Sequence, residues 1–268
     1  MGRIEARAAW GILFIAVGLL FLLQSVGLIP VGIGLVWASI LALGGLAFLL
    51  VFLNDHDRNW WAIIPSFTLL GLAGPIVLAE VSPRAGAPWG GALFLGAIGL
   101  SFLVIFLDNR SQWWAIIPAG TLLTLAAVAG LSIAAPGSAA WGGPLFLGAI
   151  GLTFCGVYTY NRAYWWAVIP AGTMLTLAAV AGLGIVSRGA EAGGVLFVGL
   201  GLTFLALYYL PTARPGQTRW AMIPALVLLA MGVLVYSAAT NVISYLLPLV
   251  LIVAGLWVLL RGGRRPTQ

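Results

Sequence analysis

Long apolar runs alternate with short polar turns along the chain. Runs near residues 9–29, 35–53, 60–80, 89–107, 113–134, 141–160, 165–186, 193–210, 219–239 and 242–260 have about the length that crosses a hydrocarbon core of ~30 Å as a helix. Inside lipid the backbone polar groups must be satisfied within the segment, so such runs are helical. The pattern predicts an all-α membrane protein with about ten transmembrane helices. The first run, Trp10 to Ile29, follows Arg3 and Arg7 as a signal peptide would. It is too long for a signal core and lacks a small-residue cleavage site before the next run, so it is read as the first helix.

The runs repeat. Trp60-Trp61-Ala-Ile-Ile-Pro65 returns as Trp113-Trp114-Ala-Ile-Ile-Pro118, Trp165-Trp166-Ala-Val-Ile-Pro170 and Arg219-Trp220-Ala-Met-Ile-Pro224, at a period of about 52 residues. Between them, Gly90-Gly91-Ala-Leu-Phe-Leu-Gly96-Ala-Ile-Gly99-Leu-Ser-Phe102 returns as Gly142-Gly143-Pro-Leu-Phe-Leu-Gly148-Ala-Ile-Gly151-Leu-Thr-Phe154, and in shortened form from Gly193 through Gly199 and Gly201 to Phe204. Trp10, Gly45 and Gly255 extend the period to the two ends. The expected organisation is one polytopic membrane domain over 1–268, made of five tandem two-helix repeats at approximately 1–53, 54–107, 108–160, 161–210 and 211–268. Two spans per unit bring each copy into the membrane from the same side, so the repeats are parallel. Transporters built on inverted halves have a different symmetry.

Composition and charge orient this array. Hydrophobic residues make up 62% of the chain and charged residues 7%, against about a quarter charged in a typical soluble domain. All twelve basic residues are Arg. Ten lie on the side of the N-terminus, and only Arg84 and Arg188 lie in the opposite loops. The loops are short, the condition under which positive charge marks the cytoplasmic face, so both termini are expected to be cytoplasmic. Arg7, Arg58, Arg110, Arg162, Arg214 and Arg265 follow at intervals of 51, 52, 52, 52 and 51. Such a ladder serves either as the topogenic charge of each hairpin or as a row of guanidinium groups gripping anionic lipid headgroups, at about 1 kcal/mol each.

Trp60, Trp61, Trp113, Trp114, Trp165, Trp166 and Trp220 stand just beyond these arginines, at the depth where indole anchors a helix in the interface. A cation–π platform is the sharper alternative. The Pro of each motif kinks its span unless the true helix starts near it, which predicts a bent or interfacial cytoplasmic entry for the third, fifth, seventh and ninth helices. Gly96 and Gly99, with Gly148 and Gly151 (and Gly91 and Gly143), are expected to let helices approach closely. The pairs Thr121/Thr124 and Thr173/Thr176 share a helix face and either bond locally or line a polar track.

Reactive groups are scarce. No Asp, Glu, Lys, Arg or His lies mid-span, Glu80 and Glu191 falling at outer ends or loops, which argues against ion-coupled carriers, proton pumps and voltage sensors. The one His, His56, stands in Asn54-Asp55-His56-Asp57-Arg58, either a solvated turn or a weak cation site opposed by Arg58. Cys155 has no cysteine partner in the chain and reads as a small buried apolar residue. No catalytic, metal or cofactor site is expected, and no nucleic-acid partner.

The first hairpin, Ala9-Trp10-Gly11 through Leu23, then Leu28-Ile29-Pro30, Trp37 and Gly44-Gly45-Leu46, resembles the transmembrane region of bacterial LiaI/LiaF-like proteins. The resemblance implies a bacterial inner-membrane location and a non-enzymatic role. It supplies no catalytic residues, and the soluble domain that often follows in that family has no counterpart here. The expected function is that of a scaffold or regulator in envelope organisation or stress response, with membrane lipids, a membrane protein or a second copy of the chain as partners. The alternative is a transporter or channel for a neutral solute or lipid.

Overall fold

The structure, a computed structural model, describes residues 33–186, 192–211 and 216–239, with isolated helical pieces at 15, 18, 22–23, 248–253 and 255–257. Its long helices are α1 (Ile33–Asn54), α2 (Ile63–Val81), α3 (Pro83–Asp108), α4 (Ile116–Ala134), α5 (Gly142–Tyr160), α6 (Val168–Val186), α7 (Ala192–Tyr209) and α8 (Met222–Ala239). Among the described residues there is no strand. Together with their leading turns, eight helices are long and apolar enough to cross a membrane: Gly34–Asn54, His56–Val81, Pro88–Asp108, Trp113–Ala134, Pro136–Tyr160, Arg162–Val186, Ala192–Tyr209 and Arg219–Ala238. The chain is a multi-pass α-helical membrane protein. The expected spans 9–29 and 242–260 lie largely outside the described residues.

Each Trp motif starts its helix in the same way. Trp60–Ala62, Trp113–Ala115 and Arg219–Ala221 are 3₁₀ turns, and Arg162–Ala167 ends in one; each runs directly into an α-helix beginning at Ile63, Ile116, Val168 or Met222. Pro65, Pro118, Pro170 and Pro224 therefore sit in the first α-helical turn, where the fixed φ of proline suits a helix start. The helix proper thus starts two residues before each proline, the case in which no kink is expected, and a 3₁₀ turn leads into it. At the opposite ends the chain stays helical further than expected: α3 begins at Pro83, six residues ahead of the apolar run, and Pro136–Trp141 forms another 3₁₀ segment. Proline at a helix start is pre-organised for it.

Two compact units, 1–104 and 105–268, divide the chain. In the first, α1 packs on α2 where a Cβ on Gly45 would meet Leu70 Cγ at 2.8 Å and the Ser66 carbonyl at 3.0 Å. The fully buried Ser66 hydroxyl donates to the Gly45 carbonyl at 2.8 Å across the same contact. A Cβ on Gly71 would lie 2.6 Å from Ala97 Cβ, which brings α3 against α2. In the second unit α4 to α8 pack each on the next. A Cβ on Gly151 would meet Leu175 Cγ at 2.7 Å and the Ala171 carbonyl at 3.0 Å, and one on Gly201 would meet Leu229 Cγ at 2.7 Å and its backbone N at 2.9 Å.

These glycines place one edge of each helix inward and the next residue outward. Gly45, Gly99, Gly151 and Gly201 are buried, whereas Leu46, Leu100, Leu152 and Leu202 are exposed. An apolar residue facing outward beside a buried glycine is the arrangement lipid demands, since close backbone packing rather than hydrophobic segregation holds such helices together.

Candidate functional site at the arginine and tryptophan turns

The turns that carry Arg and Trp are built by local side-chain chemistry. In the first unit Asp55 caps the short helix His56–Asn59, its carboxylate accepting from the Arg58 backbone N–H at 3.1 Å. In the second, Asn109 Oδ1 accepts from the Ser111 N–H at 3.0 Å and Asn161 Oδ1 from the Ala163 N–H at 2.9 Å, two Asx-type turns that place Arg110 and Arg162 at their tips. The final described turn uses Gly216, whose φ of 80° is the left-handed conformation glycine adopts most readily, and leads into Arg219.

Arg58, Arg110, Arg162 and Arg219 are all exposed. Arg7, Arg214 and Arg265 lie outside the described residues. Arg110 lays its guanidinium over the Phe106 ring, 4.4 Å from the centroid, which orients one cation on an aromatic face. The aspartate at 55 is used as a helix cap, and among the described residues no three His, Cys, Asp or Glu side chains gather to hold a metal. His56 sits beside the Phe52 ring at 6.3 Å.

The tryptophans divide into two kinds. Trp60, Trp113 and Trp165, the first of each pair, are half-buried, while Trp61, Trp114 and Trp166 are exposed, as is Trp220. The outward Trp meets a phenylalanine of the preceding helix edge-on: Phe48–Trp61 at 6.1 Å, Phe154–Trp166 at 6.3 Å and Phe204–Trp220 at 5.9 Å. In the second unit the inward Trp reaches the next turn, Trp113 meeting Tyr164 at 4.3 Å and Trp166 at 6.1 Å, and Trp165 meeting Trp220 at 6.5 Å. The alanine after each pair, Ala62, Ala115, Ala167 or Ala221, is wholly buried, at 0% exposure, leaving no room for a larger side chain.

Two tyrosines join successive turns in the second unit. Tyr160 donates to the Arg110 carbonyl at 2.6 Å and packs on Phe106 at 5.9 Å, while Tyr158 donates to the Pro211 carbonyl at 2.7 Å. Sequence reasoning passes over both, because their partners are backbone carbonyls that leave no mark in the sequence. The Phe–Trp contacts did have a signal: Phe48, Phe154 and Phe204 each stand three residues after a periodic glycine.

Inside the spans Ser66 bonds across to α1, whereas five threonine hydroxyls turn back on their own helices. Thr121 donates to the Ile117 carbonyl at 2.9 Å and Thr124 to the Gly120 carbonyl at 2.7 Å; Thr68, Thr153 and Thr203 do the same within α2, α5 and α7. Thr203 and Thr176 also fill the space above glycines of the facing helix, at Gly172 and Gly199, where a Cβ would overlap them. Of the other glycines singled out, Gly148 faces Ala178 at ordinary contact distance, Gly91 and Gly143 face open space, and Gly96 is half-buried. Cys155 is half-buried on α5.

Comparison with known protein families, with curated proteins and with solved structures finds no match for this chain.

Proposed function

We propose that the chain is a non-enzymatic, multi-pass protein of the bacterial inner membrane, with about ten spans in five tandem parallel two-helix repeats and both termini cytoplasmic. It acts as a scaffold or regulator in envelope organisation or stress response, with anionic lipids and a membrane-protein partner or second copy meeting its arginine turns. The observation that carries this reading is the division of polar groups. The described arginines of the Trp-bearing turns are exposed on turns that carry aromatic contacts, whereas Thr68, Thr121, Thr124, Thr153 and Thr203 bond the carbonyls of their own helices. Hydroxyls used in this way offer a passing solute less, which favours the scaffold over a conduit. The resemblance of the first hairpin to LiaI/LiaF-like proteins supports the envelope setting.

The test is flux through reconstituted proteoliposomes against ions, small neutral solutes and labelled lipids, with an Arg58/Arg110/Arg162→Gln triple variant alongside. No flux above empty vesicles is expected from either protein. Specific flux in the wild type that changes in the variant would replace the scaffold by a conduit with the arginines at its mouth.

A further inference from the structure

A groove of about 470 Å³ opens along the second unit between α5, α6 and α7, within the roughly 300–1,000 Å³ of typical ligand sites. On α6 its wall runs from Val168 to Ala179, eleven residue steps or about 17 Å of helix. That is close to the depth of a single leaflet, half of a ~30 Å hydrocarbon core. Tyr158 and Leu210 line its end beside the Arg and Trp turns, and Cys155 and the exposed Ala206 line it further in. The groove exists because Thr203 on Gly172 and Thr176 on Gly199 draw α6 and α7 together, while the small Ala179 and Ala206 leave their outer edges hollow.

We propose that this groove binds one acyl chain of an anionic glycerophospholipid from the leaflet on the arginine side. The lining is almost wholly apolar, as a lipid tail requires, and the Tyr158 hydroxyl at its end is already engaged with Pro211. Charge selects the headgroup. Arg162 follows Tyr158 by four residues, and the described part of the unit exposes Arg110, Arg162 and Arg219 against a single acid, Asp108. A zwitterionic headgroup gains less from that field than a phosphate bearing net negative charge. The inference rests on the chain lying in a bilayer and deepens the lipid-contact reading of the arginine turns by fixing one site and one leaflet.

The test is lipid retention by the full-length protein in detergent, measured by native mass spectrometry with dioleoyl phosphatidylglycerol and dioleoyl phosphatidylcholine in competition. Wild type retains the phosphatidylglycerol preferentially. The double variant Ala179→Phe/Ala206→Phe, which fills the groove, loses the retained lipid; Arg162→Gln keeps a lipid but loses about fivefold of the preference, the share of one basic residue. Leu152→Phe, on an exposed part of α5 outside the groove, behaves as wild type. Equal retention by wild type and a folded double variant would overturn the proposal, and so would an equal loss in Leu152→Phe. Should the double variant not fold, alkylation of Cys155 in the wild type decides: added phosphatidylglycerol slows it if the groove is a lipid site, and an unchanged rate overturns the site. Flux in proteoliposomes would remove the scaffold reading while leaving this site standing, and unchanged retention would remove the site alone.

Discussion

Gly148 and Gly151 lie one helical turn apart within α5, and both face α6, so replacing each with alanine isolates the effect of close packing. At Gly151 the new Cβ would sit 2.7 Å from Leu175 Cγ and 3.0 Å from the Ala171 carbonyl oxygen; at Gly148 it would sit 3.6 Å from Ala178 Cβ. Leu175 can change rotamer, but the Ala171 carbonyl moves only if the helix moves. Alanine gains about 0.5–1 kcal/mol over glycine in a helix interior, and this gain applies at both sites and cancels in the comparison. What remains is overpacking, which costs about 1–3 kcal/mol, and in lipid no hydrophobic driving force offsets the separated helices. Gly151→Ala is therefore expected to be about 1–3 kcal/mol less stable than Gly148→Ala. Reversible unfolding by sodium dodecyl sulfate in mixed micelles, followed by tryptophan fluorescence, measures the difference. Coincident unfolding curves would refute the reasoning. Gly45→Ala and Gly201→Ala are expected to follow Gly151→Ala, because their Cβ atoms meet a leucine of the next helix and its backbone in the same way. Trp61→Phe, which keeps a ring against Phe48, is expected to unfold later than Gly151→Leu in the same titration.

Tyr160→Phe removes the hydrogen bond to the Arg110 carbonyl while keeping the ring on Phe106, and is expected to cost about 0.5–1.5 kcal/mol; an unchanged unfolding midpoint would show that this bond does not brace the turns. Single cysteines at Arg58, Arg110 and Arg162, in a Cys155→Ser background, are expected to react with a membrane-impermeant maleimide only from the cytoplasmic side, and one at Arg84 only from the opposite side. Reversed or mixed labelling would overturn the assigned orientation.

Helix positions were legible because the solvent sets them. A run such as 113–134 must satisfy its backbone internally wherever it crosses lipid, so apolar length alone located α4. Where that constraint ends, at the outer turns, the reading was less accurate: Pro83 starts α3 well before its apolar run, because proline favours a helix start irrespective of hydropathy. Asn109 and Asn161 each precede an Arg, but a residue pair does not show a turn; the backbone N–H groups whose bonds they accept do. The glycines looked alike in the sequence and differ in space: Gly151 lies against a backbone carbonyl and Gly143 against nothing.

The sequence by itself determined the helical character, the apolar spans and the placing of Arg and Trp at the turns, since each follows from matching side chains to lipid, interface and water along one dimension. Tertiary structure alone decided which residues meet. The tyrosine bonds from α5 to the turns on either side and the groove between α5, α6 and α7 depend on the rotation and depth of one helix against another. A hydropathy pattern that is apolar on every face of a helix contains no information about which face turns inward; the contacts of small residues set that rotation.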